Sequence, residues 1–314
     1  MKKPFLLFLF TAIFFVIFSQ LTISSTNHKN DSNQVDDQQN LHQQLGVFAF
    51  ARPDGLNFAG ENVPLYSSEI WERFDNELLR NVYFQSNTLL YFKKANKFFP
   101  VIEPILEKYG VPDDFKYLAI IESGLENVVS PSGAAGFWQI MKKTAIEYGL
   151  EVNDEVDERY NLEKSTVAAC NYLNDAYNQF GDWTIAAASY NMGRGGVNRR
   201  LKEQRVDNYY ALYLNSETAR YVFRILAIKE ILKNPKKYGF FFNDKDLYKM
   251  PNYTTVEVDS SVSNLYDFAA LKNINYKLLK KFNPWLRSNT LKNPSNKTYL
   301  IKIPSDSSLI FLEN

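Results

Sequence analysis

The sequence predicts a mainly α protein, with a large all-α domain followed by a small α+β module. Three observations carry this. From Asp75 to Lys233 no run alternates with the two-residue period of a strand, while apolar residues recur at helical spacing. Glycine, proline and Asx residues punctuate that span where helices would start and stop. After Pro235 the character changes: YTTVEV and TYLIKIP read as strands, with two short helical runs between them.

In chain order, MKKPFLLFLFTAIFFVIFSQLTISS places two lysines before an apolar run from Pro4 to Phe18, the layout of a secretory signal. Pro4 to Ile23 is also long enough to span a bilayer. Residues 1–25 are therefore expected to be a signal peptide or an N-terminal anchor, the latter associating with a membrane through residues 4–23. Either reading exports the rest of the chain. Residues 26–60 read as a polar tether and an extended strap. Ser67-Ser68-Glu69 then opens a helix to about Leu79, and two further segments follow, divided by Pro100 and Pro104 and closed by Gly110. Pro112-Asp113-Asp114 starts the helix that leads to Glu122. Later helical runs are Lys142–Tyr148, Lys164–Gln179, Thr184–Asn191 and Ser216–Leu232. These runs make an all-α domain over 61–243, a module over 250–305 and a tail over 306–314.

Composition removes several function classes. The net charge is +1, so there is no basic field for nucleic acid. Cys170 is the single cysteine, which excludes an intrachain disulfide and suits a small buried residue. The two histidines, His28 and His42, both fall in the tether. The folded region thus lacks the histidine that Ser-His-Asp and Cys-His catalysis and histidine-ligated zinc require. No metal site and no cofactor are expected.

What remains is a carboxylate in an unusual setting. Phe115, Leu118, Ala119 and Glu122 fall on one face of a helix, and Ile120 and Ile121 make the remainder apolar. A carboxyl there favours its protonated form, which general-acid catalysis needs. The plainer reading is a glutamate ending a helix and pointing to solvent. Gly124 ends that helix before Glu126, while Asp154, Asp157 and Glu158 are expected on a solvated face. The loop from Pro131 to Gly136 holds nothing bulky, so backbone can approach a ligand closely. Phe137-Trp138-Gln139 after it would suit a sugar, with aromatic faces for stacking and an amide for hydroxyls, or would form an ordinary turn with core aromatics. Tyr190 and Asn191 follow an alanine-rich helix and precede Gly193, where they either cap that helix or line a cleft.

IESG (121–124), GAAGFWQI (133–140), ASYNMG (188–193) and ETARYV (217–222) occur in order and at suitable spacing. They resemble motifs of lytic transglycosylases of the soluble-transglycosylase type, which have a goose-lysozyme-like fold. The subgroup they most resemble is the membrane-bound lytic murein transglycosylase D type. Trp138, where many relatives have Met, agrees with that subgroup, and Ser189 replaces the usual alanine. The resemblance implies a peptidoglycan-cleaving lyase, exported to the periplasm or facing the cell wall. It would cut the MurNAc–GlcNAc bond without water to leave 1,6-anhydroMurNAc ends. By the same resemblance, Glu122 would be the sole acid/base, with Tyr190 near the scissile bond and Tyr221 orienting Glu122. Ser123 would hold the carboxyl or the glycan, Gly133 and Gly136 would shape the cleft wall, and Gln139 and Asn191 would bind substrate. The C-terminal module resembles a LysM repeat, with Asn283-Pro284 in place and Asp259-Ser260 where the family has Gly-Asp. Two alternatives stay open: a lysozyme-type hydrolase of the same bond, and a non-catalytic cell-wall binding protein.

Overall fold

The structure, a computed structural model, describes residues 46–305. The expected signal or anchor, most of the tether with both histidines, and the tail from residue 306 lie outside the described residues. The chain divides into two units, residues 1–49 and 50–314, and the helices and strands of the described residues all lie in the second. Among the described residues no helix is long and apolar enough to cross a membrane.

The strap is less peripheral than its composition suggests. Strands β1 (Asn57–Phe58) and β2 (Glu61–Asn62) form a hairpin around Ala59-Gly60, both at positive φ as a tight turn requires. Leu56 and Phe58 enter the main core. The hairpin is held on both sides by charge. Lys229 Nζ donates to the Asn57 carbonyl (2.7 Å) and pairs with buried Asp114 at 2.5 Å. The Glu61 carboxylate accepts from the Trp183 and Thr184 amides at 2.6 and 2.8 Å, satisfying donors at the start of a helix.

Helices α1 (Ser68–Tyr83), α2 (Gln85–Lys108), α3 (Lys116–Ser123), α4 (Lys142–Glu147), α5 (Leu162–Phe180), α6 (Trp183–Met192), α7 (Arg194–Gln204) and α8 (Ser216–Lys233) make the α domain. Apolar α8 lies at its centre, with Tyr221, Val222, Phe223, Ile225 and Leu226 all buried, and α1, α3 and α6 pack against it. Two expectations change. The two segments divided by Pro100 and Pro104 are one 24-residue helix, α2. Both prolines are exposed, so water can satisfy the carbonyls they orphan, while Phe92, Ala95, Ile102 and Leu106 hold the other face in the core. Helix α7 has no counterpart among the expected runs, because RGGVNRRLKEQ buries only Val197 and has no apolar stripe to read.

The module pairs β3 (Tyr253–Val258) antiparallel with β4 (Tyr299–Pro304), joined through α9 (Leu265–Leu271) and α10 (Tyr276–Phe282). Its own core is completed by the α domain, since Ala135, Val156 and Tyr160 belong to the same buried cluster as Leu279, Trp285 and Ile301. The segment before α5 makes that junction. The Asp157 amide donates to the Trp285 carbonyl (2.9 Å), the Arg287 amide to the Glu155 carbonyl (2.7 Å), and Arg287 lies over the Tyr160 ring at 4.2 Å. This corrects the solvated face expected for Asp154, Asp157 and Glu158. Asp154 is exposed, but Asp157 and Glu158 are buried, paired with Arg159 and with Lys164 and Lys297 respectively. Burial of charge is tolerated there because each has a cation and hydrogen bonds.

Candidate active site

Helix α3 ends where the sequence places its stop. Gly124 takes φ 63°, and its amide donates to the Ile120 carbonyl at 2.7 Å. The buried part of α3 is Tyr117 to Ile120, and Glu122 occupies its last turn, half-buried. One carboxylate oxygen, Oε1, accepts from the Tyr221 hydroxyl of α8. Burial pushes the Glu122 carboxyl up to about 7. The Tyr221 hydrogen bond and the Arg224 guanidinium oppose that rise, and Glu217 adds to it. Burial also raises the Tyr221 and Tyr190 hydroxyls well above the ordinary tyrosine range, with the Glu122 charge the next cause for both. Glu122, Tyr221 and Tyr190 thus form one electrostatic unit, with a carboxylic acid that keeps its proton near neutrality beside two neutral phenols.

The loop after α3 is a folded object rather than an open turn. Ala135 and Ile140 exchange backbone hydrogen bonds at 3.1 Å, and the Gly136 amide donates to the Val128 carbonyl at 3.0 Å. Gly136 has φ 81°, and a Cβ there would stand 2.0 Å from the Arg159 carbonyl oxygen. Glycine is therefore required twice over. Gly133 also has positive φ, but a Cβ there meets nothing within 4 Å. Buried Arg159 holds the loop from behind, donating to the Gly133 and Ile140 carbonyls at 2.9 and 3.1 Å. Its other nitrogens grip Asp157 at 2.9 and 2.8 Å.

Several expected roles shift. Trp138 and Phe137 are buried, so neither offers a face to a sugar. Trp138 fills the core, with its indole N–H on Thr166 Oγ1 at 2.9 Å. Its carbonyl accepts from the Tyr190 hydroxyl at 2.7 Å. Ser123 does not touch the Glu122 carboxyl. Its hydroxyl is placed between the Phe137 carbonyl (2.8 Å) and the Ala119 carbonyl (3.1 Å), tying α3 to the loop. Gln139, at φ 47°, donates its side-chain N–H to the Val128 and Gly136 carbonyls, which braces the loop. Asn191 donates to Glu217 (3.0 Å) and accepts from Thr218 (2.7 Å), joining the end of α6 to the start of α8. Gln139, Tyr190 and Asn191 nonetheless converge on one cavity of about 420 Å³, together with Tyr148, Tyr172 and Arg194. That is a size and polarity suited to a ligand.

The sequence assigns no role to Arg224, Glu217 or Arg159, although Glu217 opens the ETARYV motif. Arg224 and Glu217 are three residues after and four before Tyr221, so helical spacing puts them on its face. Among the described residues no group of three His, Cys, Asp or Glu side chains could hold a metal ion. Cys170 is fully buried, and burial pushes its thiol up to about 12.

Residues 100–212 match the family described as "Transglycosylase SLT domain", and residues 254–307 match "Soluble lytic transglycosylase C-terminal LysM-like domain". The first match contains Glu122, Gly133 to Gln139, Tyr190 and Asn191, and ends before Tyr221. Among curated proteins the chain is 32% identical over 192 residues to membrane-bound lytic murein transglycosylase D of Escherichia coli, covering 59% of this chain and 42% of that protein. It is 27% identical over 181 residues to membrane-bound lytic murein transglycosylase F of Desulfosudis oleivorans, covering 46% and 38%. The chain thus spans about two fifths of the length of these relatives. A solved structure, the 70 kDa soluble lytic transglycosylase of Escherichia coli, overlaps with TM-score 0.39 at 24% identity, covering 49% of this chain and 27% of that one.

Proposed function

From a chain that carries a transglycosylase SLT domain and a LysM-like domain of the soluble-lytic-transglycosylase type, we propose a peptidoglycan lytic transglycosylase that works at the cell wall. The observation that carries this reading is the Glu122 carboxyl, set in the last turn of an apolar helix and held by the Tyr221 hydroxyl, where burial pushes it up to about 7. Glu122 gives its proton to the oxygen linking MurNAc C1 to GlcNAc, and the C1–O bond breaks. Glu122, now a carboxylate, takes the proton from the MurNAc C6 hydroxyl as that oxygen bonds to C1. The product is 1,6-anhydroMurNAc, with no water consumed and Glu122 reprotonated. Tyr221 holds the carboxyl in place, and Tyr190 fixes the wall beside it through the Trp138 carbonyl. Gln139 and Asn191 line the cavity beside Tyr190, and with their amides held by the loop carbonyls and by Glu217 they would serve the substrate by fixing the wall it lies against, while Gly133 and Gly136 set the loop itself. The relatives' names, membrane-bound lytic murein transglycosylases, agree with this reaction and with a wall-facing location. Residues 1–25 would supply export.

One observation favours a second reading. Glu217 is exposed and close enough to raise the Glu122 pKa, so a second carboxylate is present for a lysozyme-type hydrolase. Its Oε1 accepts from the Asn191 amide, which suits a positioning role better than activation of water. The test is mass spectrometry of the fragments released from purified sacculi. Anhydro ends that persist in Glu217→Gln and vanish in Glu122→Gln are expected. Hydrated reducing ends lost in both variants would establish the hydrolase instead.

A further inference from the structure

A second cavity, of about 390 Å³, opens where the module meets the α domain. Its walls include Phe98, Tyr248, Tyr253 and Phe282. Four lysines also line it, and their partners differ. Lys94 is bound to Glu126 at 2.5 Å, and Lys302 is paired with Glu163. Lys97 and Lys281 have no hydrogen-bond or ion-pair partner among the described residues, although Lys97 lies over the Phe98 ring at 5.1 Å. Burial, and then the Lys281 charge, hold the Lys97 ammonium below the usual lysine range. Two like charges beside apolar walls are a cost that an anion placed between them removes.

The walls say what kind of anion. Aromatic faces favour a ligand with methyl and methylene surface over a bare inorganic ion. The position says where it comes from: Leu125, Glu126 and Asn127, which line this cavity, come just after Gly124, the cap of the helix carrying Glu122. We propose that this junction cavity binds the acidic peptide stem of a peptide-substituted glycan strand, with Lys97 and Lys281 taking its carboxylates. This rests on the function proposed above and extends it: the substrate would be read by its peptide as well as its sugars, at a site built jointly by α2 and the module. Glu126 and Glu163 neutralise Lys94 and Lys302 and leave the cavity a surplus of two positive charges, matching a stem with two carboxylates.

The test is calorimetric titration of the full chain with the synthetic peptide alanyl-D-glutamyl-alanine, both carboxylates free. Saturable binding is expected, weakened at least about ten-fold by amidation of both carboxylates or by the double substitution Lys97→Met/Lys281→Met. Lys281→Glu, at an exposed position, should weaken binding without any question of folding. Absence of binding, or equal affinity for the free and amidated peptides, would overturn the proposal, as would equal affinity of wild type and variants. The probe has no glycosidic bond, so the outcome is independent of whether the chain cleaves glycan. Cleavage of sacculi without peptide binding removes only this site, and peptide binding without cleavage removes only the transglycosylase reading.

Discussion

A carboxyl keeps its proton near neutral pH when burial outweighs the groups that would ionise it, and Glu122 sits in that balance. The balance gives signs that can be measured. The Tyr221 hydrogen bond lowers the Glu122 pKa, so Tyr221→Phe should slow turnover and move the alkaline fall of the activity profile to higher pH. Arg224→Gln should move it the same way, and Glu217→Gln the opposite way. Stability follows from the same proton. A glutamate raised from 4.5 to about 7 costs nothing below the lower value, where folded and unfolded chains both hold the proton. The cost grows as pH rises through that window and is complete above it. Thermal melts of Glu122→Gln and wild type should therefore diverge in favour of the variant between about pH 4.5 and 7 and then run parallel. The Glu122 carboxyl on an apolar helix face is visible in the sequence, whereas spacing alone leaves it between an acid and a solvent-facing helix end, and its role there is what the motif resemblance implies. Arg224 is less visible, since its contact is the Ile121 carbonyl at 2.9 Å, and backbone acceptors leave no mark in residue types.

At the scale of elements, the loop from residue 128 to 140 is the part the sequence describes least well. Its small residues and aromatics suit either a surface for stacking on sugar or an ordinary turn with core aromatics. The structure uses the same residues to pack backbone on backbone, with Trp138 inward and Gln139 folded onto its own loop. What the sequence does not reveal is the partner behind the loop, because Arg159 recognises carbonyls at positions 133 and 140. Two alanine substitutions separate the effects. Gly136→Ala should cost roughly 2–4 kcal/mol, combining strained φ with a collision against the Arg159 carbonyl. Gly133→Ala meets no atom and should cost only about 1 kcal/mol. Denaturant unfolding of the two variants measures the difference. The helices themselves are readable to within a few residues wherever an apolar stripe exists, as in α5, α6 and α8. Reading fails at α7, which has no stripe, and across Pro100 and Pro104, which lie on the exposed side of α2.

At the scale of the whole molecule, the C-terminal module is a structural partner of the α domain. It covers Ala135, Val156 and Tyr160, and its Trp285 and Arg287 pair with the 155–157 segment. Asp157 in that segment holds Arg159, and Arg159 holds the 128–140 loop. A chain ending at residue 250 should therefore melt at lower temperature and lose activity even on short soluble glycan fragments, where a separate wall-binding module would be dispensable. An unchanged melting temperature and rate would mean that the module is only tethered. The strand-helix-helix-strand order is visible in the sequence, whereas the shared core is not, because Ala135 and Val156 look the same whether a neighbour covers them or their own domain does. If Glu122 and the sugar's own C6 hydroxyl do all the chemistry, digestion of sacculi in heavy-oxygen water should release anhydro-ended fragments carrying no label, and Glu122→Gln should release none. Fragments with one heavy oxygen at MurNAc C1 would contradict it.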